Sequence, residues 1–152
     1  MSMQINSRIP LIFGVPDDSF YETLEAKKVF VAELRPALEG MKVVAGSLLK
    51  KKVTPVVICD NMLGFCMKQG LVEKVFIFTH AVSRDTVLCR TGSLIAALAA
   101  QAHGIPVYLY KAKNAVLKKA TLAKIGNKKV TTASIKTYAP VYEEVPKTLI
   151  KG

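Results

Sequence analysis

His80 stands at the end of the apolar run Lys74-Val-Phe-Ile-Phe-Thr. An imidazole there, with an ordinary pKa near 6.5, could take or give a proton near neutral pH. Asp85, a few residues on, could orient it as the second member of a catalytic pair, and Asp60 could serve the same end. The stretch Arg84-Asp-Thr-Val-Leu-Cys-Arg-Thr-Gly-Ser then runs into an alanine-rich helical pattern. A helix start offers unpaired N–H groups and the positive end of a dipole, so Thr91, Gly92 and Ser93, with Arg90 beside them, form a candidate phosphate site. An ordinary helix start would read the same way. Asp60 and Asn61 follow another apolar run; they could hold a sugar hydroxyl or simply cap the next helix. Cys59 and Cys89 flank the same expected cleft, although nothing in the sequence fixes a cation beside either thiol. Neither G-x-G-x-x-G nor G-x-x-x-x-G-K-[ST] occurs, which weakens the dinucleotide and P-loop readings.

Composition narrows the classes. The chain has 152 residues and is 51% hydrophobic, enough for one core without disulfides or metal. The three cysteines are odd in number and lack C-x-x-C spacing, so reduced thiols are expected, with no zinc site and no cofactor. No apolar run of membrane length and no secretion leader are visible, which points to the cytosol. The net charge is +11, and 10 of the 22 basic residues lie at or beyond Lys111. That bias favours encounters with anions but identifies no ligand.

The elements that must position these groups alternate. Ile9–Gly14 reads as a strand, with Asp17 capping a helix to about Lys27. Val29–Ala32 reads as a second strand, followed by a helix that starts near Pro36 and carries Leu38, Met41, Val44 and Leu48. The β-branched run Thr54–Cys59 suits the buried middle of a parallel sheet, and the helix after it ends at Gly70. Lys74–Thr79 is the next strand, residues 80–91 read as a loop, and Gly92–Gly104 as a helix. Ile105–Tyr110 returns to strand. Asn114–Lys124 could be a basic helix, and Val130–Tyr138 a strand or loop. Such alternation implies parallel strands joined by right-handed crossovers, with ligands beyond the C-terminal strand ends. That edge would present Glu33, Asp60, His80 and the Tyr110-Lys111 turn.

Several pieces in order, Glu33-Leu-Arg-Pro-Ala-Leu-Glu-Gly, Cys59-Asp-Asn-Met, Val72-Glu-Lys-Val, Arg90-Thr-Gly-Ser and His103-Gly-Ile-Pro-Val-Tyr, resemble the initiation factor 2B and methylthioribose-phosphate isomerase group. The closing Ala139-Pro-Val-Tyr-Glu-Glu-Val-Pro-Lys-Thr-Leu-Ile also resembles that family's last segment. The resemblance implies that residues 1–152 are a single α/β domain of Rossmann-like, three-layer α/β/α build with a mainly parallel sheet, of the type shared with sugar-phosphate isomerases and CoA transferases. It further implies a homodimer and a phosphorylated sugar or nucleotide as ligand. The departures are specific. The family's isomerases use a cysteine and an aspartate, and His80 stands where the aspartate would be. Glu39 replaces the glutamine of an L-Q-G motif, and an Asn-Lys pair that contacts substrate aligns with Cys89-Arg90, so only the positive charge remains. The cysteine-bearing stretch and a covering helical domain have no counterpart here.

Three functions are therefore expected in descending order. The first is a phosphate-ligand binding domain without standard isomerase chemistry. The second is a divergent aldose-ketose isomerase using His80 and Asp85. The third is a translation-linked module with weak RNA binding through Tyr108, Tyr110, Lys111 and Lys113.

Overall fold

The computed structural model describes residues 7–114, 120–131 and 134–151. Its sheet grows from period-two alternation of apolar side chains. In β1 (Ile9–Phe13), β2 (Lys28–Ala32) and the start of β4 (Val72–Val82), Leu11, Phe13, Phe30, Ala32, Val75 and Ile77 enter one core. Ile12, Val29, Val31, Phe76 and Phe78 enter the other. Because both faces are apolar, both need helices. On one side lie α1 (Asp18–Thr23), bringing Phe20 and Tyr21, and α2 (Ala45–Lys50), bringing Leu48. On the other lie α3 (Leu63–Lys68) and α4 (Ser93–Ala102), which bury Cys66, Met67, Ala96, Ala97 and Ala100. Three layers result, as expected. Fully buried Phe30 and Phe78 each contribute roughly 1.5–3 kcal/mol by leaving water.

The seven-stranded sheet runs β3-β2-β1-β4-β5-β9, with β6 (Val107–Lys111) also on β4. Pairings β3–β2, β2–β1, β1–β4 and β4–β6 are parallel. The strand β3 (Thr54–Ile58) is an edge strand rather than the buried middle, and Val56 and Val57 are only half buried. Continuous apolar sequence could not separate these positions, since one covered face already suffices to demand Val and Ile.

Two further expectations change. Residues 80–91 are not a loop: β4 runs on to Val82 and turns into β5 (Thr86–Arg90), antiparallel to it. β5 in turn pairs antiparallel with β9 (Tyr142–Pro146), a partner some fifty residues away that no local pattern reveals. The helix expected from Pro36 begins later. Leu34 and Leu38 take positive φ, 60° and 62°, and the chain enters a π-wound turn at Gly40–Val44 before continuing as α2. Most of the basic helix expected over Asn114–Lys124 falls on 115–119, outside the described residues. Beyond these, β7 (Lys124–Ile125) and β8 (Lys128–Lys129) form a small hairpin, and the described residues between Val130 and Tyr138 form no strand. No helix among the described residues is long and apolar enough to cross a membrane.

Candidate ligand-binding site

The strand ends converge on one hollow of about 180 Å³, lined by Gly14 and Val15 after β1, Phe78 and His80 of β4, Arg90 of β5, Ala112 and Lys113 after β6, and Tyr142 of β9. Glu39 and Val43 close it from the run into α2. It lies beyond the C-terminal ends of parallel strands, where open α/β sheets bind their ligands.

His80 reaches it through a bulge. The β4–β5 register shifts between Thr79 and Ala81, leaving His80 without a directly paired partner. Bulges beside functional sites re-aim side chains in this way. The Thr79 hydroxyl pins the bulge, donating to the Ala81 carbonyl at 2.7 Å and accepting from the Ala81 N–H at 3.2 Å. The imidazole meets the Tyr142 ring edge-on, with centroids 4.7 Å apart. Partial burial, and then the nearby Arg90 guanidinium, push the His80 pKa below its ordinary value, so the neutral base form is favoured at pH 7. Asp85 does not join it. It sits exposed beside the β4–β5 turn and is absent from the hollow's lining. Ser83, at the turn, already stands three extended residues beyond His80, roughly 10 Å. The expected His80–Asp85 pair is therefore corrected: a tight hairpin sends the aspartate to the far end of the strand.

Arg90 is buried, and its guanidinium forms an ion pair with Glu39. The two side chains are 11% and 15% exposed, and Glu39 Oε1 is buried with no hydrogen-bond partner among the described residues. The segment presenting Glu39 is held by Asp60, whose carboxylate accepts the Leu34 N–H at 2.9 Å and the Arg35 N–H at 2.7 Å. Those bonds hold the chain where Leu34 has a left-handed conformation, a region unfavourable for a residue with a side chain. Asp60 thus neither caps the next helix, which has no side-chain cap bond, nor lines the hollow. Neighbouring Asn61 is exposed and likewise outside it.

The expected anion site at the start of α4 is filled from within. The Glu143 carboxylate accepts the Gly92 N–H at 2.5 Å and the Leu94 N–H at 3.2 Å, while the Thr91 N–H donates to the Val141 carbonyl. A carboxylate complements the helix dipole as a phosphate would. Ser93 is wholly buried and Gly92 packs on the Phe13 ring, so of this turn only Thr91 faces a surface hollow. Cys89 does not contact ligand space either. It is fully buried, and burial, with Glu143 nearby, pushes its thiol up to about 12. Cys59 is exposed. Tyr108 is covered by Phe76 at 6.3 Å and by the Lys74 and Lys151 ammonium groups, so it presents no free stacking face. Among the described residues no cluster of three or more His, Cys, Asp or Glu could hold a metal.

Sequence reading missed Lys113, Tyr142 and Glu143. Lys113 was within reach of strand-end logic, two residues past β6. Tyr142 and Glu143 were not, because only the β5–β9 pairing carries them to the site.

A mainly parallel three-layer sheet with such a hollow at its strand ends defines a Rossmann-like ligand-binding domain. Residues 17–152 match the Initiation factor 2 subunit family, and the chain belongs to it. The methylthioribose-1-phosphate isomerase of Carboxydothermus hydrogenoformans is 29% identical over 147 residues, covering 87% of this chain and 43% of that protein. The isomerase of Thermosipho melanesiensis is 37% identical over 83 residues, covering 54% of this chain and 24% of its own length. The chain therefore spans less than half of these curated relatives. Among solved structures, the translation initiation factor 2B delta subunit from A. fulgidus superposes with a TM-score of 0.75 at 18% identity, covering 97% of this chain and 51% of that one. The 5-methylthioribose 1-phosphate isomerase from Pyrococcus horikoshii OT3 gives 0.75 at 16%, covering 95% and 49%. The resemblance read from the short motifs holds at the level of family and fold.

Proposed function

We propose that the domain binds a phosphorylated sugar or nucleotide in the hollow between His80, Arg90 and Lys113, without the isomerase chemistry named for its relatives. The observation that carries this is the convergence of those three side chains on one strand-end hollow that no cysteine lines. Lys113 is exposed and offers a mobile ammonium to an anion, while Arg90 is pre-positioned but shared with Glu39. A ligand that binds only the folded state raises its melting temperature. In a thermal-shift series with ribose 5-phosphate, AMP and related monophosphates, at least one compound is expected to stabilise the chain, and Lys113→Ala to remove most of that shift. No shift from any phosphorylated sugar or nucleotide would overturn the proposal.

A second reading keeps catalysis, and the neutral His80 imidazole facing the hollow favours it as a proton acceptor. Interconversion of a bound aldose and ketose phosphate followed by proton NMR would then be abolished in His80→Ala, with affinity nearly unchanged. Equal turnover in that variant would remove His80 from the chemistry.

We further propose a homodimer. The exposed Phe65 on α3 and Ile95 and Leu98 on α4, helices that touch one another, are the surface it would cover. Light scattering on the full chain is expected to give twice the monomer mass, falling to one in Ile95→Lys/Leu98→Lys. A monomeric wild type would sink the idea.

A further inference from the structure

The Glu39–Arg90 ion pair is a partition between hollows. On its other side lies a space of about 150 Å³ lined by Pro36, Ala37, Thr121, Lys124 and Gly126, together with Glu39 and Arg90 themselves. A third, of about 210 Å³, adjoins it through Arg90, Pro36 and Ala120 and adds Arg35. Arg90 is the residue common to all three. Lys113 stands in the first, Lys124 in the second and Arg35 in the third, whereas Glu39 is the carboxylate among the lining residues. The hairpin carrying Lys124 is tied to this place, since the Gly126 N–H donates to the Pro36 carbonyl at 2.8 Å. A Cβ on Gly126 would come within 2.7 Å of Lys42 Nζ, which brings a further ammonium over the turn.

One carboxylate against this set of cations leaves the joined hollows strongly positive, and the positive charge is spread along them instead of gathered at one point. A single phosphate on Lys113 and Arg90 would leave Lys124 and Lys42 uncompensated. We propose that the ligand carries two separated anionic groups, as a sugar bisphosphate or a nucleoside diphosphate does. One group sits with Lys113 and the other with Lys124, and the body of the molecule crosses the Arg90–Glu39 partition. This rests on the proposed phosphate-ligand reading and specifies its ligand class.

Calorimetric titration of the full chain at one fixed ionic strength would use ribose 5-phosphate, a pentose 1,5-bisphosphate and inorganic pyrophosphate. The bisphosphate is expected to bind roughly tenfold tighter than the monophosphate, the worth of one more charge-assisted contact. Pyrophosphate, too short to span the partition, should bind less tightly than the bisphosphate. Lys124→Ala should bring the ratio of bisphosphate to monophosphate affinity towards one. Equal affinities for the two sugar phosphates, or a ratio that Lys124→Ala does not alter, would overturn the two-anion ligand and leave the monophosphate site standing. Binding of all three alike, fading with salt, would mean only general attraction to a chain of net charge +11 and would overturn it too. Absence of any binding would remove both readings together.

Discussion

Gly40→Ala is expected to destabilise the fold more than any other single methyl group added to this chain. A Cβ at position 40 would stand 1.8 Å from the Ala32 carbonyl oxygen and 2.9 Å from its carbon, and both belong to backbone that cannot rotate away. Relief requires moving the π-wound turn off the end of β2, which also draws Glu39 away from Arg90. Overpacking in a tight core commonly costs about 1–3 kcal/mol, and a backbone collision of this size belongs at or above the top of that range. For a domain with a total stability of perhaps 5–15 kcal/mol, that is a large share. Urea unfolding gives the comparison, with Gly46→Ala as the control. A Cβ at Gly46 meets nothing within 4 Å, and the change sits inside α2, so a gain of about 0.5–1 kcal/mol is expected from helix propensity. Equal midpoints for Gly40→Ala and wild type would show that the close approach of turn and strand does not exist in solution.

Arg90→Met should be nearly as damaging, for an electrostatic reason. It leaves the Glu39 carboxylate mostly buried with no counter-charge, where one oxygen already has no hydrogen-bond partner among the described residues. Removing one partner of a buried ion pair costs roughly 3–5 kcal/mol, and the hollows on either side, which water can enter, place this case at the lower end. Glu39→Gln alone should cost less, because a neutral amide tolerates the site better than an unpaired charge. The double variant Glu39→Gln/Arg90→Met should recover much of the loss of Arg90→Met. Unfolding free energies of the four proteins measure the coupling directly. If the two single losses merely add, the pair is not formed in the folded protein.

Both variants act on the chain segment from Glu33 to Val44, and that segment shows where sequence reasoning reached its limit. Its position after β2 and its Leu-Glu-Gly were legible, as was the replacement of an expected glutamine by Glu39. Its path was not. The left-handed Leu34 and Leu38 carry no local signal, because they are held by tertiary partners such as the Asp60 carboxylate on the Leu34 and Arg35 N–H groups. For the same reason Asp60 looked like a helix cap. Capping is a local bond, and the competing partners lay one strand away in the sheet.

Arg90 and His80 were singled out correctly as neighbours of one hollow, since each lies at or near a strand end and strand ends meet along one edge of a parallel sheet. Asp85, Gly92, Ser93 and Cys89 were drawn in by proximity along the chain, and the fold separated them. The β4–β5 hairpin sends Asp85 away, core packing takes Cys89 and Ser93, and Glu143 closes the helix start at Gly92.

The sequence by itself determined the layers. Alternating apolar residues require a sheet covered on both faces, and the β-α order requires parallel strands, because these depend on contacts between near neighbours. Which charges meet was decided only by tertiary structure. The antiparallel addition of β5 and β9 places Tyr142 and Glu143 beside residues some fifty positions earlier, and pairing over that distance is fixed by the closure of the whole sheet rather than by any local preference.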